Sequence, residues 1–317
     1  MRQRVLITGI AGFLGSNLCK RLLDEGHDVY GVDDLSAGDS DFISSAFFQQ
    51  QTVEKRHRGF EVCDFANDWI LDQIKEQKFD IVIHLAAMPR VGYSVEYPYE
   101  TNENNVSKSV KLLTACRDNV KRFINISSSA VYGNAFTVPT SELVVHKPES
   151  PYALQKSIME SYCNLFSSLY DMDTVSIRPF NIFGPNQRGS SAYATAVSAW
   201  FDAIKKGQPL RSDGTGEQSR DMVYVDNVVD IIVRCINFKQ FRGQAFNAGT
   251  GTSVSNNEIL AWFKKEFPSC TIVNAPAREG DVMRTCADIV KTKVLLGYNP
   301  IVNFWDGLEL TRKWLSI

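Results

Sequence analysis

Residues 4–34 read RVLITGIAGFLGSNLCKRLLDEGHDVYGVDD, and this stretch sets the architecture. Val5, Leu6 and Ile7 form the apolar run of a strand buried on both faces. Leu14, Leu18 and Leu22 mark one face of the helix after it, and Gly26 ends that helix. Between them stand Gly9, Gly12 and Gly15, spaced G-x-x-G-x-x-G. Glycine permits a tight turn there and lets backbone amides approach a phosphate, whose charge a helix N-terminus favours. Three glycines alone make only a turn. With a strand before them, a helix after, and a second strand, DVYGVD, ending in an acid, they read as a dinucleotide site. A carboxylate at Asp33 accepts hydrogen bonds from the adenosine ribose hydroxyls and repels a 2′-phosphate, so the pattern predicts NAD rather than NADP.

Beyond Asp33, further strand–helix units succeed one another without a compositional break. FEVCD ends in Asp64, and FDIVIHLAA, RFINISSSAVYG and TVSIRPFNIFG are later strands, with a helical stretch over residues 99–118 among them. Continuous apolar strands alternating with helices predict an α/β fold: a Rossmann-type doubly wound parallel sheet with a smaller, mainly C-terminal lobe for substrate. The expected division gives residues 1–178 to the cofactor domain, with returns near 223–250, and 179–317 mainly to the second lobe. Asp64 either caps a helix or accepts the adenine amino group.

The composition is that of a soluble protein, 44% hydrophobic and 22% charged, with a formal charge of −2 that gives no reason to expect nucleic acid. Seven irregularly spaced cysteines argue against a disulfide framework, and four scattered histidines against a structural metal. VLITG is too short for a secretory segment, and no run is long enough to span a bilayer, so a cytoplasmic enzyme is expected.

SPYALQK, residues 150–156, starts a second instructive helix: Ser150 as cap, Pro151 in the first turn. Tyr152 and Lys156 lie one turn apart and share a face. An ammonium near a phenol favours phenolate, which would make a base, although the same spacing occurs by chance on surface helices. Ligands in such sheets bind beyond the carboxyl ends of the strands, and Ser127-Ser128-Ser129 ends one of them. Those hydroxyls either satisfy backbone groups or stand near Tyr152.

The glycine motif, Asp33, HLAA at 84–87, SSSAVYG at 127–133 and Tyr152/Lys156 occur here in a telling order. RPFNIFGP at 178–185, EQSRDMVYVDNVV at 217–229 and REGD at 278–281 come after them. Over nearly its whole length the chain resembles the extended short-chain dehydrogenase/reductase superfamily. Within it, the chain is most similar to the nucleotide-sugar 4-epimerases that act on UDP-glucose and UDP-N-acetylglucosamine. The resemblance implies that Ser128 is the catalytic hydroxyl with Ser129 beside it, that Tyr152 is the proton acceptor and donor, and that Lys156 binds the nicotinamide ribose and lowers the phenol's pKa. It places NAD against Gly9, Gly12, Phe13, Leu14 and Gly15, against Asp33 and Asp64, and against Leu85, Ala86, Ala87 and Asn105. Lys108 departs from the glycine that many members carry.

The same resemblance implies that Arg220 and Arg278 hold a diphosphate, where a guanidinium makes paired, charge-assisted bonds. Asp281 is placed on the nucleotide ribose, and Asn181, Gln187, Tyr193 and Arg90 along the sugar cleft. Thr285 gates the sugar's C2 substituent; its small size favours UDP-GlcNAc and UDP-GalNAc, with UDP-Glc and UDP-Gal as second substrates. A homodimer is implied through a four-helix bundle, with apolar positions Val106, Val110 and Leu113 on one helix and Leu154, Ile158, Tyr162, Leu165 and Phe166 on the other. A 4,6-dehydratase would need an Asp-Glu pair where Ser129-Ala130 stand. A UDP-glucuronate 4-epimerase or decarboxylase would use Arg90 against the carboxylate. An NAD-binding scaffold without activity would be expected to have lost part of the reacting set, which is present in full.

Overall fold

The computed structural model describes residues 2–43, 59–187, 189, 195–277 and 282–317. The expected positions Tyr193, Arg278 and Asp281 lie outside these residues. A seven-stranded sheet is built from β1 (Arg4–Thr8), β2 (Asp28–Asp33), β3 (Gly59–Val62), β4 (Ile81–His84), β5 (Arg122–Ile126), β6 (Thr174–Pro179) and β7 (Gln244–Ala248). Its order is β7-β6-β5-β4-β1-β2-β3, and β1 pairs in parallel with both β2 and β4. The order reverses beside β1, the switch point where such sheets bind ligands. Leu6, Ile7, Val82, Ile83, Phe123 and Ile124 are fully buried, as strands covered on both faces require.

The chain divides into two compact units. The first comprises Met1–Gly133, His146–Arg178 and Val229–Phe246; the second comprises Asn134–Val145, Pro179–Val228 and Asn247–Ile317. The division differs from the expected cut because residues 134–145 leave the first unit and the return begins within the helix Val225–Asn237. The second unit has no large sheet among its described residues. It uses short pairs: Asn181–Phe183 with Met222–Tyr224, Leu210–Asp213 with Ile272–Ala275, and Ser219–Arg220 with Val254–Ser255.

The helix expected over 99–118 is not continuous. Pro98–Asn102 is α-helical, Glu103–Lys108 forms a π-turn, and Ser109–Cys116 resumes the α-helix. A π-turn carries an extra residue, which rotates the next stretch of helix and often marks a functional position. Here it contains Asn105. Of the outer apolar positions, Leu113 and Phe166 belong to this chain's own core, whereas Leu154 and Leu165 are exposed. Among the described residues no helix is long and apolar enough to cross a membrane, and no group of three or more His, Cys, Asp or Glu could hold a metal.

Candidate active site

The dinucleotide turn forms where β1 meets the helix Phe13–Asp24. Gly9 adopts φ +73°, and a Cβ there would lie 2.8 Å from the backbone nitrogen of Ala86. The glycine thus lets the turn close onto the end of β4, with Ala86 N–H donating to Thr8 Oγ1 at 3.2 Å. At Gly15 a side chain would collide with the Gly9 carbonyl and the Ile10 backbone, so the helix can approach β1 only without one. Gly12 is the N-cap and no side chain caps the first turn, where Phe13 and Leu14 stand half-buried. That leaves a helix N-terminus suited to phosphate.

Asp33, at the end of β2, accepts from Ala11 N–H at 3.0 Å and Leu35 N–H at 2.9 Å. Burial pushes its carboxyl up, while those amides act against the rise. Asp64, after β3, accepts from Ala66 N–H at 2.8 Å through one oxygen and pairs with Lys108 through the other. The departure at Lys108 therefore ends on a second residue expected at the cofactor. Leu85 continues β4 by donating its N–H to Thr8 O at 3.1 Å, and Ala87 is half-buried beyond it. The glycine cradle, uncapped helix and strand-end acid fit NAD.

The reacting set stands in the same unit. Ser128 comes after β5, and its Oγ accepts from Ala130 N–H at 3.2 Å, opening the 3₁₀ turn Ser129–Tyr132. Tyr152 and Lys156 lie on the helix Pro151–Tyr170, which Ser150 caps by accepting from Ala153 N–H at 3.2 Å. Tyr152 is buried, and burial pushes its phenol up while the Ser128 side chain opposes the rise. Lys156 Nζ lies 5.9 Å from the Tyr152 ring centre and donates to Ile126 O at 2.7 Å. Burial pushes its ammonium down to about 8. The resemblance implies that Lys156 lowers the phenol's pKa; in this structure burial dominates and the opposing partner is Ser128.

Several supports of this set leave no signature in sequence spacing. Ser94 Oγ, fully buried, accepts from Tyr152 N–H at 3.1 Å. Asn105, inside the π-turn, is buried. Its side chain accepts from Met88 N–H at 2.7 Å and donates to Gln155 Oε1 at 2.8 Å, while Gln155 donates to Thr101 Oγ1 at 2.9 Å. The π-turn is thereby fastened to the helix that carries Tyr152. His84, buried, contacts Thr8 Oγ1 and Ser109 Oγ, each at 2.8 Å, and burial pushes it down to about 3. Arg90 is exposed, with its guanidinium 5.5 Å from the Tyr93 ring centre, and Ser129 is half-buried.

The expected substrate residues that are described lie in the second unit, Arg90 and the serines apart. Asn181 Nδ2 reaches Asp221 O at 3.4 Å and Thr285 Oγ1 at 3.5 Å. Thr285 is half-buried in an extended segment, its N–H donating to Ser219 O at 3.1 Å and its carbonyl accepting from Asp221 N–H at 2.9 Å. Gln187 donates to Ile182 O at 3.1 Å and accepts from Ser198. Arg220, half-buried, donates to Ser219 O at 3.0 Å. Asp221, unmarked by any motif role in the sequence, is completely buried and ties these strands together.

A tyrosine facing a serine, with a buried lysine one turn on and a dinucleotide turn in the same unit, is the equipment of an NAD-dependent enzyme of the extended short-chain dehydrogenase/reductase class. The chain belongs to the NAD dependent epimerase/dehydratase family, whose model matches residues 5–249. It is 35% identical over 319 residues to UDP-glucose 4-epimerase of Mycolicibacterium smegmatis, covering 98% of this chain and 97% of that protein. Among solved structures it resembles UDP-N-acetylglucosamine 4-epimerase from Methanobrevibacter ruminantium M1 in complex with UDP-N-acetylmuramic acid. That likeness has a TM-score of 0.91 and 30% identity, covering 99% of this chain and 98% of the other. UDP-glucose 4-epimerase from Thermotoga maritima with UDP-glucose matches with a TM-score of 0.89, 30% identity and 98% of both chains.

Proposed function

We propose that this protein inverts UDP-sugars at C4, with UDP-GlcNAc and UDP-GalNAc as substrates and UDP-Glc and UDP-Gal accepted second. The observation that carries the reading is the buried Tyr152, whose phenol Ser128 acts on, with Lys156 one turn away and its Nζ 5.9 Å from the ring centre. Tyr152 takes the proton of the 4-hydroxyl and later returns it, and Ser128 holds the oxygen as the proton moves. Lys156 supplies positive charge and a hydrogen-bond donor to the nicotinamide ribose. NAD, when bound, would supply the acceptor and donor of the C4 hydride, and its positive charge would favour the Tyr152 phenolate. Between the two transfers the 4-keto sugar turns over, so that hydrogen returns to its opposite face. Redox balance closes without an outside reductant.

Arg220 and Arg278 are assigned to the diphosphate, Asp281 to the nucleotide ribose, Asn181, Gln187 and Tyr193 to the sugar cleft, and Thr285 to the C2 gate. Dehydration is disfavoured because Ser129 and Ala130 offer no acid or base pair. Among the residues of the cleft, the uronic-acid alternatives would use Arg90. The assembly proposed is a cytoplasmic homodimer. Its support is the exposed Tyr99, Leu154, Leu165 and Leu169 on the helices Pro98–Asn102 and Pro151–Tyr170. NMR of product mixtures from UDP-GlcNAc, UDP-Glc and UDP-GlcA tests the substrate reading. A 4-epimer from UDP-GlcNAc is expected; no N-acetylhexose activity, or a pentose from UDP-GlcA, would defeat it.

A further inference from the structure

The first hydroxyl of the serine run has no part in the reaction above, yet it is the most deeply buried of the three. Ser127 N–H donates to Ile177 O of β6 at 2.7 Å, and its hydroxyl donates to Glu160. Glu160 lies one helical turn beyond Lys156. Arg178, at the end of β6, grips the same carboxylate, with Nε 3.0 and 3.1 Å from its two oxygens and Nη2 at 2.6 Å. That guanidinium also donates to the Tyr132 phenol oxygen at 2.7 Å and meets His146 Nε2 at 2.6 Å. Tyr132 ends the turn that begins after Ser128. Because His146 Nε2 faces a donor, it accepts, and Nδ1 carries the proton toward Ser157 Oγ at 2.7 Å.

One carboxylate thus joins the end of β5, the helix bearing Tyr152 and Lys156, and, through Arg178, the turn after Ser128. Glu160 and Arg178 are both buried. Desolvation consumes most of the attraction in a buried ion pair, so the pair adds little net stability; its directional bonds fix geometry. We propose that Ser127 and Glu160 are positioning residues. Their hydrogen bond, locked by Arg178, sets where Ser128 meets Tyr152, and the Glu160 charge supports the Lys156 ammonium. The proposal rests on the reading that Ser128, Tyr152 and Lys156 carry the chemistry. Among the described residues, the groups that act on the ammonium or feel its charge are His84 of β4, kept neutral by burial, and Tyr152 and Glu160 of its own helix. Of these, Glu160 opposes the fall caused by burial.

The test uses the full chain with its bound cofactor, UDP-Gal and UDP-GalNAc as probes, and Tyr152→Phe as control. Ser127→Ala should lower kcat about tenfold, with KM within about twofold and bound NAD unchanged. Glu160→Gln should move the alkaline limb of kcat/KM to lower pH by about half a unit or more, since loss of the anion weakens the Lys156 cation. Unchanged kcat in Ser127→Ala overturns the proposal, as does a loss matched by falling NAD content and melting temperature, the mark of a merely structural role. A folded Glu160→Gln with an unmoved profile overturns it too. Should Glu160→Gln not fold, Ser127→Ala decides by its split between kcat and KM. An active Tyr152→Phe would remove the underlying reading itself; an inactive one beside a fully active Ser127→Ala would sink this proposal alone.

Discussion

Glu160 in the first unit and Asp221 in the second are buried carboxylates held in opposite ways. In the first, Glu160 is met by the Arg178 guanidinium and the Ser127 hydroxyl, side chains delivered by the ends of regular elements. In the second, Asp221 is met by backbone: Thr250 N–H at 2.9 Å, Gly251 N–H at 3.0 Å and Ala287 N–H at 3.0 Å, with the Thr250 hydroxyl at 2.7 Å. A side-chain network next to reacting groups tunes charge and position. A backbone nest holds loops together and is indifferent to the identity of the residues that supply its amides. The Glu160 network should therefore respond to substitution in turnover, and the Asp221 nest in stability.

The largest effect expected is on Tyr152→Phe, which removes only an oxygen. Turnover should fall by about 10²–10⁴-fold, the usual contribution of a general acid–base, while circular dichroism and bound NAD stay as in the wild type. Asp221→Ala should leave several buried N–H groups unpaired and destabilise by about 3 kcal/mol or more in denaturant unfolding. A loss below about 1 kcal/mol would mean that the nest is dispensable. Were Asp221→Ala to abolish turnover in a stable protein, the contrast between the units would be wrong.

Much of the first unit is legible in the sequence because its chemistry sits where regular elements end. The run from Arg4 to Asp33 alternates periods that only a strand, a turn and a helix satisfy, and Tyr152 and Lys156 share a helical face by spacing alone. The supports are not legible. Ser94 under Tyr152, and the pairing of Lys108 with Asp64, join positions far apart in sequence, and nothing in ENNVSK announces a π-turn. Glu160 does carry a signal, since it repeats the helical step from Lys156, but its partners Ser127 and Arg178 become neighbours only when β5 and β6 pair. In the second unit the expected contacts sit on loops and two-residue strands, where periodicity has nothing to grip. Gln187, for example, hydrogen-bonds Ile182 and Ser198, partners that no spacing in the sequence announces.

A smaller effect separates charge tuning from packing. Lys156 holds its proton more weakly in the folded protein, at about 8, than at its ordinary 10.5. Over that window the unfolded chain binds more protons, so stability contributed by this residue rises with pH from about 8 to 10.5 and is reduced below it. Lys156→Met should lose this rise in the cofactor-free protein, read as the difference between the two proteins' melting temperatures across that pH range. Parallel curves would show that the ammonium is not held under strain. The smallest expected change is one of preference. Thr285→Tyr should depress kcat/KM for UDP-GalNAc about tenfold more than for UDP-Gal, by steric exclusion at the C2 substituent. Equal losses on the two would show that Thr285 is no gate.

In the proposed reaction hydrogen leaves and returns to the same carbon within one bound complex, and Tyr152 handles only the proton. UDP-sugar deuterated at C4, incubated with the protein as purified and without added NAD, tests this by mass spectrometry and NMR of the epimer. The 4-epimer should keep its deuterium at C4 and gain no hydrogen there from solvent water. A 4-epimer that has lost the label to solvent would contradict the mechanism.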